Sequence, residues 1–205
     1  MMDRAIGEKM IAVCRSLTKM LDLAFQAFRK STERSIQEAE EIRNEVRRYS
    51  SEMTLSLVEK NLPSGTGKEW VKPYLAIVSS LDRIGYNLDG ILDRLKKMVQ
   101  EQVLFTDRAI HEINDMFQEV ISLSENLPDL ILTQNKLLAQ QMGEKGKAIF
   151  KKADEYAEEH ERRLIQGVCV PKSSPLYLDM LFSLKGIVAH TIEISGRTVA
   201  LSAKA

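Results

Sequence analysis

The sequence contains the tetrapeptide GTGK at 65–68, which in a nucleotide-binding loop would hold phosphate groups through backbone amides and the lysine. Such a loop also needs a glycine five positions before its second glycine, a Ser or Thr after the lysine, and a preceding strand. The chain has Leu62 and Glu69 at these two positions, and a helical pattern precedes the loop. We therefore predict a simple turn, in which Pro63 ends one helix and Glu69 begins the next.

Two His-Glu pairs, at 111–112 and 160–161, begin like the HExxH motif, whose two histidines bind zinc. Asp115 and Leu164 stand where the second histidines would have to be. A di-iron bundle instead needs a glutamate three residues before each histidine, and the chain has Arg108, Ala157 and Ile187 there. No serine or cysteine has a recognisable nucleophile context. We therefore predict a non-enzymatic protein, with His160 as a hydrogen-bonded core residue on the seam of its helix.

Three carboxylates form the remaining constellation with a chemical meaning. Asp82, Asp89 and Asp93 are spaced seven and four residues apart, which places them on one stripe of a helix. Such a stripe binds a hard divalent cation if a second helix adds oxygen ligands, and Glu40 or Glu41 of the preceding helix are candidates. The alternative is a solvated acidic face whose ion-pair partners are Arg83, Arg94 or Lys97.

The composition excludes several classes of protein. The 205 residues carry 29 basic and 29 acidic side chains, whereas a general nucleic-acid binder would be more basic. No stretch approaches the roughly 18 uninterrupted apolar residues of a membrane span, and the N-terminus lacks a signal peptide's apolar core. The two cysteines, Cys14 and Cys169, are far apart and outside any CxxC pattern. We expect a cytoplasmic protein that has no nucleic-acid partner, no cofactor and no disulfide framework.

The elements that position these residues are predicted to be six helices, because apolar residues recur at steps of three and four along most of the chain. Helix one carries the seam that begins at Met10, and helix two carries Ala39, Ile42, Val46, Tyr49 and Met53 and ends near Lys60. Helix three covers 69–102. Helix four starts at Thr106 or Asp107, is kinked or broken at Pro128, and resumes as far as the predicted turn MGEKG at 142–146. Helix five follows that turn, and helix six covers 176–203. The fold class is therefore all-α.

The sequence repeats itself at a shift of 103 positions. Residues 74–94 and 177–197 share seven identities in 21 ungapped positions, which include Tyr74 with Tyr177 and Ile84 with Ile187. Each segment is the third helix of a triplet and follows a loop that contains proline. Helices one and two match four and five only in character, because the predicted loops between them differ in length. We predict two tandem three-helix bundles, with domain limits 1–103 and 104–205.

The third helix also carries a family resemblance. Residues 81–87, LDRIGYN, followed by ILDR at 91–94, resemble the motif of PhoU-like phosphate-uptake regulators, in which acid-Arg-Ile-Gly-Asp opens a helical stretch that ends in Ile-Ala-Glu-Arg. Residues 184–197, LKGIVAHTIEISGR, resemble a worn copy of the same motif. The length, the six-helix order, the duplication and the acidic second and fifth helices are similar to the family over nearly the whole chain.

This resemblance implies a function that depends on binding. Members of the family, including PhoU-like domains of sodium-phosphate cotransporters, restrain phosphate import and phosphate-responsive signalling through contacts with other proteins. The chain is thus expected to bind a phosphate transporter or a sensor kinase, and to meet the membrane only through that partner. Its long helical seams add a homodimer to these expectations.

The resemblance also concerns metal ions, since the family holds metal clusters through acid-x-x-x-Asp pairs on the third and sixth helices. Asp82 matches the first acid of the first copy, but Tyr86 replaces the following aspartate. In the second copy Lys185 and Ala189 replace both acids, and a lysine ammonium repels a cation. A divalent or iron cluster is therefore expected, if anywhere, in the first repeat, around Asp82, Asp89 and Asp93.

Two hypotheses from other classes stay open at this point. One is a generic helical scaffold or adaptor unrelated to phosphate, which would share the bundles. The other is a metal-binding helical bundle, either a store or a hydrolase, which the missing histidines disfavour.

Overall fold

The computed structural model describes residues 4–59 and 68–202, which form seven helices and no strand. These helices are α1 (Arg4–Lys30), α2 (Glu33–Glu59), α3 (Lys68–Gln100), α4 (Asp107–Ser124), α5 (Leu127–Thr133), α6 (Lys136–Ile165) and α7 (Ser174–Ser202). The turn predicted around GTGK falls at 61–67, which lies outside the described residues. The all-α prediction is confirmed, and so are six long helices once α4 and α5 are counted as two parts of one rod.

The break between α4 and α5 occurs where the sequence predicted it. Helix α4 ends at Ser124, and α5 begins at Leu127 with Pro128 in its first turn. Proline is well accommodated there, because the first backbone N–H groups of a helix have no acceptor within the helix.

The predicted turn at 142–146 is wrong, since α6 runs without interruption from Lys136 to Ile165. The chain turns earlier, where Gln134 adopts the left-handed conformation with φ of 51°. Asn135 then caps α6, as its side-chain oxygen accepts hydrogen bonds from the amides of Leu137 at 2.9 Å and Leu138 at 3.2 Å. The two glycines of MGEKG lie inside the helix, and Gly146 is buried against α7.

The duplication keeps one register over all the helices, which corrects the expectation that helices one and two match four and five only in character. Moving α1 by 103 positions superimposes its span on the combined span of α4 and α5. The left-handed residues that end these elements, Ser31 and Gln134, are also equivalent and share a φ of 51°. This common register was not recognised from the sequence, because the turn that follows α5 was predicted at MGEKG and the loops of the two halves then differed in length. The buried positions that agree between α2 and α6 are 36 and 139, 39 and 142, 43 and 146, 46 and 149, 50 and 153, and 57 and 160.

Helices α3 and α7 pack against each other as an antiparallel pair at the centre of the molecule. Their contacts move to lower residue numbers on α3 as they move to higher residue numbers on α7, by the same number of positions. The contacting pairs are Arg94 with Asp179, Gly90 with Ser183, Asn87 with Gly186, Arg83 with His190 and Ser80 with Glu193. The shift of 103 converts the Gly90–Ser183 pair into the Glu193–Ser80 pair. A pseudo-twofold axis therefore relates the two halves, and it places the predicted counterparts Ile84 and Ile187 at equivalent buried positions.

One continuous hydrophobic core joins the two halves. Besides the α3–α7 seam, rings of α1 meet α4, with centroids of Phe25 and Phe117 5.3 Å apart and those of Phe28 and Phe117 6.2 Å apart. The predicted limit at 103/104 falls in the connection between α3 and α4, and the division into two domains stays a prediction. Among the described residues, no helix combines the length and the apolar character needed to cross a membrane.

Candidate functional site

The carboxylates that the sequence singled out meet two arginines of α2. We call Arg43, Arg47, Asp82 and Asp89 the α2–α3 clamp. Arg43 Nε donates to both carboxylate oxygens of Asp89, at 3.1 and 3.0 Å, and Arg43 Nη1 lies 3.4 Å from Asp82 Oδ1. Arg47 Nη2 donates to Asp89 Oδ2 at 2.7 Å. The Arg43 side chain is only 6% exposed, so the clamp is a partly buried charge network that joins two helices.

The ion-pair partners of these carboxylates are therefore not those suggested by the sequence, which were Arg83, Arg94 and Lys97. Arg94 instead bonds Asp179 of α7, with Nε 2.9 Å from Oδ2. Glu40, which with Glu41 was a candidate ligand from α2, pairs with Lys96. Asp93 stays exposed at the edge of the clamp.

The clamp borders an open hollow of about 720 Å³ between α2 and α3. Arg43, Arg47 and Asp82 line it together with five hydroxyl side chains, and apolar residues line the rest. The hydroxyl residues are Ser50, Ser51, Thr54, Ser79 and Tyr86. The charged groups of the lining are thus two guanidinium groups and one carboxylate.

The described residues contain no group of three or more His, Cys, Asp or Glu side chains arranged to hold a metal ion. Asp82 and Asp89 share a cation already, the guanidinium group of Arg43, and this group stands where a bridging metal ion would bind. Both oxygens of Asp89 and one oxygen of Asp82 are thus engaged by arginines. The metal site at Asp82, Asp89 and Asp93 stays a prediction, and the structure adds a competitor for it.

The second repeat has a different arrangement at the equivalent place. Lys185, the counterpart of Asp82, pairs with Asp154 of α6. Its ammonium group also lies 5.0 Å from the centroid of the Phe150 ring, and Phe150 is the counterpart of Arg47. The other counterparts are Gly146 for Arg43, Ile192 for Asp89 and Gly196 for Asp93. The second copy therefore has equivalent helices at this place but neither the arginines nor the carboxylates of the clamp.

A second polar network lies inside the second bundle and is centred on Glu112, which is fully buried. Its carboxylate accepts hydrogen bonds from Arg163 at 3.1 and 2.7 Å, from the Tyr177 hydroxyl at 2.7 Å and from Arg108 at 2.7 Å. Burial by itself would raise the pKa of Glu112, but these donors outweigh burial and hold it below the ordinary value. The pKa of Tyr177 is raised by burial and by its bond to this carboxylate. Glu112 is thus an ionised structural residue that ties α4 to α6 and α7.

His160 is a core residue, as the sequence predicted. Its Nε2 lies 2.8 Å from Ser174 Oγ, and its ring stacks on Tyr177 with centroids 4.1 Å apart. The buried thiol of Cys169 lies 3.9 Å from Nδ1. Burial, and then the charge of Arg163, lower the pKa of His160, so the ring is neutral at pH 7.

Sequence reasoning missed Arg43 and Glu112, which are the centres of both networks. The seam predicted for α2 passed through Ile42 and Tyr49, whereas the buried face contains positions 43 and 50. Arg43 lies four residues after Ala39 and seven after Ile36, so its spacing carried the signal. Because charged side chains are rarely buried without a partner, an arginine at such a position is assigned to the surface when its partner on the facing helix is unknown.

A further hollow, of about 340 Å³, opens between α3 and α7 beside the clamp. Tyr86 and Phe182 flank it and are exposed to 74% and 53%. Among the described residues, its charged lining consists of Asp89, Asp93, Asp179 and Arg94. We call this place the α3–α7 hollow. It combines exposed aromatic rings with a surplus of carboxylates.

Two pseudo-equivalent three-helix bundles that pack through an antiparallel pair of third helices define the class of this protein, which is the PhoU-like fold. The chain is similar to the structure of PhoU from Pseudomonas aeruginosa, with a TM-score of 0.86 and 15% identity over 98% of this chain and 97% of that one. The phosphate transport system regulatory protein PhoU from Streptococcus pneumoniae gives a TM-score of 0.83 and 15% identity over 98% and 95% of the two chains.

A PhoU-like protein from Shewanella oneidensis is also similar, with a TM-score of 0.58 and 14% identity over 98% of this chain and 100% of that one. No protein-family model and no curated protein matches the chain by sequence. At these identities the likeness establishes the fold alone. The resemblance inferred from residues 81–94 is confirmed at that level.

Proposed function

We propose that this protein is a non-enzymatic regulator of phosphate uptake or phosphate-responsive signalling, which acts in the cytoplasm by binding a transporter or a sensor kinase. The observation that carries the proposal is the PhoU-like fold over nearly the entire chain, with both bundles present. The local motif at residues 81–94 supports it independently of the fold. A homodimer remains part of the proposal.

The cell provides the first test. Deletion of the gene in its native organism is expected to leave phosphate uptake high when external phosphate is plentiful, because the restraint on import is lost. Uptake of radiolabelled phosphate measures this, and a plasmid copy of the wild-type gene should restore the restraint. Unchanged uptake and unchanged expression of phosphate-starvation genes in the deletion strain would leave the generic scaffold as the better hypothesis.

We assign the partner contact to the α3–α7 hollow, because the exposed rings of Tyr86 and Phe182 both line it and together form an apolar patch. Aromatic side chains are enriched among the residues that dominate binding energies. Asp93, the lining carboxylate that forms no ion pair among the described residues, favours a partner segment that inserts an Arg or Lys side chain between the rings. The occupant is therefore a basic segment of the transporter or kinase.

Purified proteins test this contact. The double variant Tyr86→Ser/Phe182→Ser is expected to bind the cytoplasmic part of the cognate transporter or kinase at least about tenfold more weakly than wild type. Leu132→Ser is the matched control, because Leu132 is also exposed, to 68%, but lies on α5 away from the hollow. Calorimetric titration measures both. Equal affinity of the double variant and wild type would remove the hollow from the contact.

A further inference from the structure

We propose that Arg43 is the resident counter-cation of the carboxylates on α3 and takes the place of a divalent metal ion in the first repeat. The proposal stands on the geometry of the α2–α3 clamp and does not depend on the proposed function. It assigns Asp82 and Asp89 to a closed guanidinium clamp, within which they are not ligands of a metal.

The first support is the position of the guanidinium group. It is buried between α2 and α3, with Nε on both oxygens of Asp89 and Nη1 directed at Asp82. A divalent cation that bridged the same two carboxylates would need oxygen ligands at about 2.0–2.6 Å. At that place it would also face a positive charge within hydrogen-bond distance of its ligands, which repels it. The arrangement present therefore does not fit a metal ion.

The second support is Gly85, which provides the room for this guanidinium group. A Cβ atom at position 85 would lie 2.7 Å from Arg43 Nη1 and 2.8 Å from Cζ, closer than real Cβ contacts. The residue lies within regular α3, so its backbone has no need of glycine. The glycine thus leaves the space that the guanidinium group occupies, and a larger residue there would displace the group.

The third support comes from the chain's own second copy, where the arginine and its carboxylates are absent together. Gly146 replaces Arg43, and Val188 replaces Gly85, so the large and small partners are exchanged between α6 and α7. Lys185 and Ile192 stand in place of Asp82 and Asp89. The arginine and the two carboxylates are thus all present in the first repeat and all replaced in the second.

The test uses the full chain in four forms: wild type, Arg43→Ala, Asp82→Asn/Asp89→Asn, and the triple variant Arg43→Ala/Asp82→Asn/Asp89→Asn. The melting temperature is measured after treatment with a chelator and again in millimolar Mn²⁺ or Mg²⁺, and Mn²⁺ binding is followed by calorimetric titration. For wild type we expect the same melting temperature in all conditions and no Mn²⁺ binding that depends on Asp82 and Asp89.

For Arg43→Ala we expect a melting temperature lower by roughly 6–15 °C, because the buried arginine side chain between α2 and α3 is lost and Asp89 keeps only Arg47 as a cation partner. Mn²⁺ should restore part of this loss, since the vacated space leaves the carboxylates to a metal ion, and the triple variant should show no such recovery. Wild-type Mn²⁺ binding that Asp82→Asn/Asp89→Asn abolishes would overturn the proposal, and so would an Arg43→Ala variant as stable as wild type.

If Arg43→Ala does not fold, Arg43→Lys provides the same information. A lysine keeps the positive charge but cannot bond both carboxylates through a planar fork. We therefore expect its melting temperature to lie between that of wild type and that of Asp82→Asn/Asp89→Asn, both measured after treatment with a chelator. A fall in the wild-type melting temperature on chelation, reversed by Mn²⁺, contradicts the proposal whatever the variants do.

Discussion

Glu112 shows how a single residue can stabilise a bundle only with all its partners in place. Its carboxylate is fully buried, and Arg163, Tyr177 and Arg108 together satisfy it. Removal of the carboxylate leaves Arg163 and Tyr177 buried without this partner, which is more destabilising than the loss of the attraction itself. The equivalent position in the first repeat is Lys9, which pairs with Glu52 across α1 and α2 at a more exposed site.

We predict that Glu112→Ala lowers the free energy of unfolding by about 3–5 kcal/mol, because it strands the Arg163 guanidinium and the Tyr177 hydroxyl. The control is Glu38→Ala, which breaks the exposed Arg34–Glu38 pair on α2 and should cost about 0.3–0.5 kcal/mol. Urea denaturation followed by circular dichroism measures both. A loss for Glu112→Ala as small as that of the control would show that the network contributes nothing.

His160 makes a prediction about pH. Because burial lowers its pKa in the folded protein below 6.5, the unfolded chain binds a proton first as the pH falls. Stability should thus be constant above pH 6.5 and decrease from pH 6.5 towards about pH 5, before most carboxylates titrate. His160→Gln, which does not titrate, should show a flatter profile in this window. Parallel profiles for the two proteins would exclude His160 as the source.

At the scale of the elements, the two glycines of α6 have opposite environments. A Cβ at Gly146 would lie 2.6 Å from Ile192 Cγ1 of α7, whereas a Cβ at Gly143 would meet nothing within 4 Å. Gly146 therefore lets α6 approach α7 closely, and Gly143 only adds conformational freedom to the unfolded chain. A helix that looks interrupted by glycines is in this way continuous and well packed.

We predict that Gly143→Ala raises the free energy of unfolding by about 0.5–1 kcal/mol, because alanine favours the helix and no neighbour has to move. Gly146→Ala should be less stable than Gly143→Ala by more than about 1 kcal/mol, since Ile192 must shift from its place between α6 and α7. Thermal unfolding of the two variants provides the comparison. An equal gain in both would mean that the α6–α7 contact tolerates wider spacing.

At the scale of the whole molecule, the pseudo-twofold axis joins two bundles that bury their third helices against each other. Each half alone would expose the apolar seam of α3 or α7 to water, which is unfavourable in proportion to the area exposed. In the full chain the other half packs on that seam. In an isolated half, the seam of a second copy of the same half can pack on it instead.

Residues 1–103 and 104–205, when produced separately, are therefore predicted to self-associate, and to form a one-to-one complex with native helix content when mixed. Size-exclusion chromatography with light scattering gives the masses, and circular dichroism gives the helix content. A variant pair that carries Leu81→Asp and Leu184→Asp, two fully buried positions of α3 and α7, should not assemble. Halves that stay folded and monomeric when mixed would show two independent domains instead of one joint core.

Much of this architecture is local information. Apolar residues at steps of three and four specify the helices and their buried faces, Pro128 specifies a break, and residues 74–94 with 177–197 reveal the duplication. These features depend on the side chains within one helix or on a direct repeat, so the sequence determined the all-α class, the paired bundles and the likeness of α3 to PhoU-like proteins.

The tertiary structure decided which residues meet across helices. The partners of Asp89 and Glu112 lie 46 and 51 positions away from them, in Arg43 and Arg163. No periodicity within one helix contains that distance, and a charged side chain at a seam position looks exposed until a facing helix neutralises it. The continuous path of α6 was likewise settled by α7, because Ile192 and Val188 fill the space beside Gly146. Packing between helices therefore determined the chemistry of the clamp, which the stripe of aspartates alone had suggested to be a metal site.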